Sequence, residues 1–209
     1  MCAKPKYPHA ALSSDLFEKP KGLVVKHKKT KPSTILKSLP GAEIIDVTSQ
    51  AKDEFVRFSP FFPHGNIPVP LWPERTGASV EAIWQGLKVF SGYPENPKKG
   101  PDFSLLESSM MSGIKRTVRA HGPVLGHLAA DGTILPYLDA RKKIYLPAYR
   151  FVLENYLVEE GRKLRALAQE KTVVLLDYAT NGDVDNTATP LSHAALIILW
   201  IEGRWPKEN

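Results

Sequence analysis

The segment Thr172 to Tyr178 (TVVLLDY) constrains this chain more than any other. Its apolar run is continuous rather than alternating, so a strand built from it must be buried on both faces. A second β-branched run, Glu43 to Ser49 (EIIDVTS), reads as another buried strand, bounded by Gly41 and the polar stretch Ser49 to Lys52. Helical patterns fall between the two strands and after the second. The order strand, helices, strand, helix implies an α+β (mixed α/β) fold. It is read as one compact domain over residues 42–209, a mostly helical shell around a small sheet, preceded by a basic, partly irregular arm over residues 1–41.

The helical patterns differ in strength. Val80, Ile83, Trp84 and Leu87 recur at i, i+3, i+4 and i+7, which is a core-facing stripe. Glu81, Gln85 and Lys88 then share another face of the same expected helix. A short helix is expected over Ser33 to Leu39, and another over Ser108 to Arg119. Asp139 to Gln169 reads as a long helix interrupted at Pro147, with Tyr149, Val152, Leu153 and Tyr156 on one stripe. The last helix is expected to start with Thr189 as N-cap and Pro190 at N1. It continues from Leu191 to Glu202, apolar nearly all round, and so should pack deep beside the TVVLLDY strand. His193 would fall in its first turn, where the helix dipole disfavours positive charge; a neutral imidazole is expected. Between Phe55 and Pro73, four Phe and one Trp sit among five prolines, a density no helix tolerates. Short extended pieces are expected at Phe55–Phe58 and Ile67–Val69, with a turn at His64-Gly65-Asn66.

Composition removes several classes. With 43% apolar residues in 209, disorder over the whole chain is excluded. The longest apolar run, Ala194 to Ile201, is far short of the roughly 20 residues that span a bilayer. The single cysteine, Cys2, excludes a disulfide scaffold and a Cys-rich zinc site. Six scattered histidines, His121 and His127 among them, match no metal-ligand spacing, and no metal or cofactor is expected. No apolar core follows Met1, so a cytoplasmic protein is expected rather than a secreted one. The net charge of +6 is concentrated at the start: residues 1–50 hold nine lysines against four acids.

Three features carry chemistry. The loop Phe58-Ser59-Pro60-Phe61-Phe62-Pro63-His64-Gly65 is stiffened by proline, and its rings would either line a cleft or cover the core. Glu81 and Lys88 would place a carboxylate and an ammonium on one cleft wall, for acid/base work or phosphate binding, or would form a solvated face. The loop after the second strand holds Asp177, Asn181, Asp183 and Asp185. Loops at the carboxyl end of such strands are common ligand sites, although Asn and Asp also cap ordinary turns.

Ser59-Pro60-Phe61-Phe62-Pro63 followed by Ser79-Val80-Glu81-Ala82-Ile83-Trp84-Gln85-Gly86-Leu87-Lys88 resembles the NADAR superfamily of YbiA-like proteins. Those domains carry an aromatic segment, then a helix opening near a Val-Glu pair with a Gln and a Lys behind it. The apolar strand ending at Asp177, and Asp183 beyond it, are similar to the family's later layout, with Arg141 and Tyr145 standing where it has an Arg-Asp-Trp. Pro60 stands where the family has Asn, and no Trp-Gly follows Asp183. The chain also looks like an uncharacterised family of phage and bacterial proteins.

The NADAR resemblance implies a ligand of the ADP-ribose or nucleotide-derived type and hydrolysis of an N-glycosidic bond, such as release of ADP-ribose from guanine. It implies Glu81 and Asp183 as catalytic carboxylates and Asp177 as a ligand contact beside Gln85. Lys88, Lys115, Arg116 and Arg119 would neutralise the pyrophosphate, and Phe61, Phe62 or Trp84 would stack on the base. Such chemistry needs no metal. The alternative is a non-catalytic nucleic-acid-associated protein. It would use the Lys-rich arm together with Lys115, Arg116, Arg119, Arg141, Lys142 and Lys143 on phosphates. A third reading makes the aromatic-proline loop a docking surface.

Overall fold

A computed structural model describes residues 22–107 and 119–208. The strand expected from TVVLLDY is β8 (Val173–Asp177), and all five of its residues are buried. It lies between β1 (Leu23–His27) and β2 (Glu43–Asp46), parallel to both. Val174 is level with Val24 on one side and Ile44 on the other. The strand's two faces meet different layers, as its unbroken apolar run requires. Val174 and Leu176 pack with Ile35 of helix α1 (Pro32–Ser38). Val173 and Leu175 face the main core, which α5 (Val158–Glu170) and α6 (His193–Ile201) help to build. The architecture is a single mixed α+β fold. Residues 22–41, read from sequence as the end of an arm, contribute β1 and α1 to this layer.

The chain between β2 and β8 builds the rest. An antiparallel pair, β3 (Ile67–Val69) and β4 (Trp72–Gly77), leads into α2 (Val80–Gly86). An antiparallel sheet follows, with β6 (Val124–Leu128) between β5 (Lys88–Phe90) and β7 (Ile134–Leu135). Helices α3 (Tyr137–Ala140) and α4 (Leu146–Tyr156) are joined through a π-helical turn over Arg141–Tyr145.

Several boundaries differ from the sequence expectations, each for a local reason. Glu54–Phe58 is a 3-10 turn rather than extended, because Asp53 caps it by accepting from the Phe55 N–H at 3.0 Å. The long helix does not break at Pro147. The preceding π turn widens the backbone where proline removes a donor, and the break falls at Leu157. The last helix begins at His193, not at Pro190. Ser192 is its N-cap, accepting from the Ala195 N–H at 3.2 Å, while Leu191 is bridged to Asn181. From there α6 is buried as expected, at every residue but Leu199. Gly161 of α5 lies directly against Trp200 of α6, where an added Cβ would stand 2.4 Å from the ring. The helix expected over Ser108–Arg119 lies outside the described residues up to position 118. No helix among the described residues is long and apolar enough to cross a membrane.

Candidate functional site

Helix α2 begins at a well-formed cap: Ser79 Oγ accepts from the Ala82 N–H at 3.0 Å. Val80 and Ile83 then turn into the core. Glu81, on the other side, donates its backbone N–H to Pro60 O at 2.9 Å. That bond fixes the aromatic-proline loop beside the first turn of α2. The loop is anchored elsewhere by Tyr149 Oη donating to Phe58 O at 2.7 Å and by His64 Nε2 at 2.9 Å from Arg57 O. Burial lowers the His64 pKa to about 4, so its ring is neutral at pH 7 and donates to that carbonyl.

Two hollows meet at Glu81. The first, about 180 Å³, is lined by Trp84, Tyr137, Arg141, Tyr145, Pro190 and Leu191 as well as Glu81. The second, about 260 Å³, holds Ser49, Phe61, Asp177, Tyr178 and His193 and shares Glu81, Tyr145 and Pro190 with the first. It opens where β2 and β8 end, at the carboxyl edge of the parallel sheet, the usual ligand position in such sheets. Burial raises the Glu81 carboxyl above its ordinary range, against the opposing hydrogen bond from Gln85 and the charge of Lys88.

Behind Glu81 runs a buried polar chain. Gln85 Nε2 donates to Glu81 Oε1 at 2.6 Å, and Lys88 Nζ donates to Gln85 Oε1 at 2.9 Å. The Arg119 backbone N–H reaches the same Gln85 oxygen at 3.2 Å. Lys88 therefore does not share an open face with Glu81. The helix ends at Gly86, Lys88 stands on β5, and its ammonium is buried, which lowers its pKa against the attraction of Glu81. The Arg119 guanidinium donates to the carbonyls of Gln85, Lys88 and Gly100.

At the far side of the second hollow, Asp177 accepts from Ser192 Oγ at 2.7 Å and from the Tyr178 N–H at 2.6 Å. His193 Nδ1 stands 3.0 Å from Asp177 Oδ2, and its Nε2 lies 2.9 Å from Val47 O. Both ring nitrogens face acceptors, an arrangement that favours the protonated ring. Burial opposes that charge, but the Asp177 carboxylate outweighs it and raises the His193 pKa. Asp177 is itself penalised by burial, yet His193 and Ser192 bring it down to about 2. The helix dipole alone disfavours charge on His193, and the Asp177 carboxylate opposes that effect. Ser192, His193 and Asp177 are not a nucleophilic triad: the serine hydroxyl donates to the aspartate, and the ring nitrogen a nucleophile would need is tied to Val47.

Of the residues singled out in the sequence, the hollows bring together Glu81, Trp84, Phe61 and Asp177. Phe62 packs on His64, 4.8 Å between ring centres, and lines neither hollow. Asp183 is exposed and caps a turn, accepting from the Asp185 N–H at 3.0 Å. Arg116 and Lys115 lie outside the described residues. Lys28, in the basic segment, is ion-paired with Asp46. Tyr137, Arg141 and Tyr145 frame the first hollow; their spacing of four along the chain puts them on one helical face, a signal the sequence carried. Arg141 is fully buried, donating to Val184 O and Asn186 O at 2.8 Å and to Tyr137 Oη at 3.0 Å. It holds the 184–189 loop against the cleft. Among the described residues no group of three His, Cys, Asp or Glu side chains could hold a metal ion.

Residues 27–197 match a family of unknown function (DUF6939), and the chain belongs to that family. No curated protein and no solved structure matches it.

Proposed function

We propose that this cleft hydrolyses an N-glycosidic bond of a nucleotide-derived, ADP-ribose-type ligand, with Glu81 as the proton carrier. The observation that carries the reading is the position of Glu81, the one carboxyl at the junction of two unlike hollows. The first hollow is walled by Trp84, Tyr137 and Tyr145, whose rings suit a flat base. The second offers hydroxyl and carboxylate groups suited to a ribose. A glycosidic bond running from base to ribose then lies across Glu81.

The steps balance around one carboxyl group. The C1′–N bond breaks and its electron pair leaves with the base nitrogen, which takes the Glu81 proton. The ribosyl group passes through an oxocarbenium-like state, which the resulting Glu81 carboxylate stabilises. Water then adds to C1′ and returns its proton to Glu81. The raised Glu81 pKa supports the first step, because the group keeps its proton at higher pH than an ordinary carboxyl. None of the described cations named for the pyrophosphate lines the hollows: Lys88 and Arg119 are engaged behind Glu81. The phosphates of the ligand therefore extend outside the two hollows.

The test is release of free ADP-ribose from ADP-ribosylated guanosine, followed chromatographically. Wild-type protein is expected to turn over, and Glu81→Gln to lose at least about a hundredfold with its Tm within a few degrees of wild type. No turnover by the wild type, or full turnover by the variant, overturns the reading.

A further inference from the structure

Glu81 has two carboxyl oxygens, and the protein treats them differently. Oε1 accepts from Gln85 Nε2 at 2.6 Å, while among the described residues Oε2 has no hydrogen-bond partner and the side chain lines both hollows. Gln85 has no choice of orientation. Its other amide atom receives the Lys88 ammonium at 2.9 Å and the Arg119 backbone N–H at 3.2 Å. An ammonium and a peptide N–H can only donate, so that atom must be the oxygen, and the NH2 group must face Glu81. We propose that Lys88 and Gln85 are positioning residues that keep Glu81 Oε1 a permanent acceptor, so that the acidic proton resides on Oε2, the oxygen facing the ligand.

The arrangement explains a buried lysine to which no carboxylate is bonded among the described residues. Lys88 acts through a neutral amide, which transmits orientation while keeping the ammonium out of a direct ion pair that would hold Glu81 as the carboxylate. Other titratable groups around Glu81 are Tyr145 and Tyr137 from the helical segment, Arg141 beside them, and Asp177 with His193 across the second hollow. Asp177 and His193 neutralise each other, and Arg141 is directed at loop carbonyls. Lys88 is thus the charge that reaches Glu81 through a hydrogen-bonded path.

The inference gives a reason for the acid role proposed above and so rests on it, but its test needs no substrate. Glu81 is titrated by carbon NMR of its carboxyl group in the intact protein. In Lys88→Met the midpoint should rise by about half a pH unit or more, because an opposing charge has been removed. In the wild type, which has no folding question, the Gln85 Nε2 proton should shift with the Glu81 midpoint yet stay hydrogen-bonded on both sides of it. A Lys88→Met midpoint equal to wild type, or a Gln85 amide that ignores the Glu81 titration or frees its proton below the midpoint, overturns the proposal. Because turnover plays no part in this titration, absence of glycosidase activity leaves its outcome readable.

Discussion

His193 Nδ1 and Asp177 Oδ2 meet at 3.0 Å, at the point where the central strand ends and the last helix is about to begin. The pair joins the sheet to the largely buried helix α6 and forms one wall of the second hollow.

This pair makes stability depend on pH from both sides. The Asp177 pKa falls from about 3.9 in the unfolded chain to about 2 in the fold. Its contribution, about 2 kcal/mol, is present above pH 4 and lost as pH falls toward 2. His193 is raised, so its contribution is complete below about pH 6.5 and declines as pH climbs through the folded value. Thermal melts of the wild type should therefore weaken as pH rises above about 6.5, and those of His193→Asn should lack that decline. Parallel profiles for the two proteins would contradict the pairing.

A second histidine acts with the opposite sign. His127 of β6 is fully buried, its ring nitrogens have no hydrogen-bond partner of normal geometry among the described residues, and its ring centre lies 3.7 Å from that of Trp84. Burial and then the nearby Lys88 lower its pKa to about 3. The unfolded chain takes up that proton near pH 6.5, so stability is full above that value and falls between pH 6.5 and 3. His127→Leu is expected to flatten this limb and to be neutral or stabilising at pH 7, since no hydrogen bond is lost. Denaturant melts at pH 7 and pH 4.5 decide it.

Arg141 is the anchor of the loop that closes the cleft. Arg141→Met should cost about 3 kcal/mol by leaving the Val184 carbonyl without its donor and the Asn186 carbonyl with Asn181 Nδ2 in place of two donors. Arg141→Lys should recover little, because a single ammonium cannot span the carbonyls that the planar fork reaches. Urea denaturation gives the energies, and hydrogen exchange should localise the loosening to residues 184–189.

Helix propensity favours alanine over glycine by about 1 kcal/mol. At Gly161 the sign should nevertheless be destabilising, because the new methyl group meets Trp200 at 2.4 Å. A Gly161→Ala protein more stable than wild type would mean that α5 and α6 do not approach this closely.

What the sequence revealed follows the range of the forces involved. The double-faced strand β8 and the Val80-Ile83-Trp84-Leu87 stripe are local patterns of apolar residues, and both were legible. Lys88 was not: its spacing continues the helix, but Gly86 ends it, and only pairing with β6 turns the chain into β5. The start of α6 differs from the sequence pattern for a similar reason. Pro190 suits a first turn, yet Ser192 has the decisive partner in Asp177, fifteen positions away. Asp177 belongs to the apolar strand segment and Asp183 to the polar loop beyond it, so the difference in burial is local, whereas the Ser192 and His193 partners of Asp177 are not. The Tyr137-Arg141-Tyr145 spacing was present but becomes a cleft wall only when α2 is packed against it.

The most direct measurement of the central claim is a crystal structure of Glu81→Gln with ADP-ribosylated guanosine bound. The account predicts the base against Trp84, the ribose in the hollow beside Phe61 and Tyr178, and C1′ at about 3–3.5 Å from the side chain at position 81. A ligand seated elsewhere on the protein, or one whose glycosidic bond lies away from that position, would contradict it.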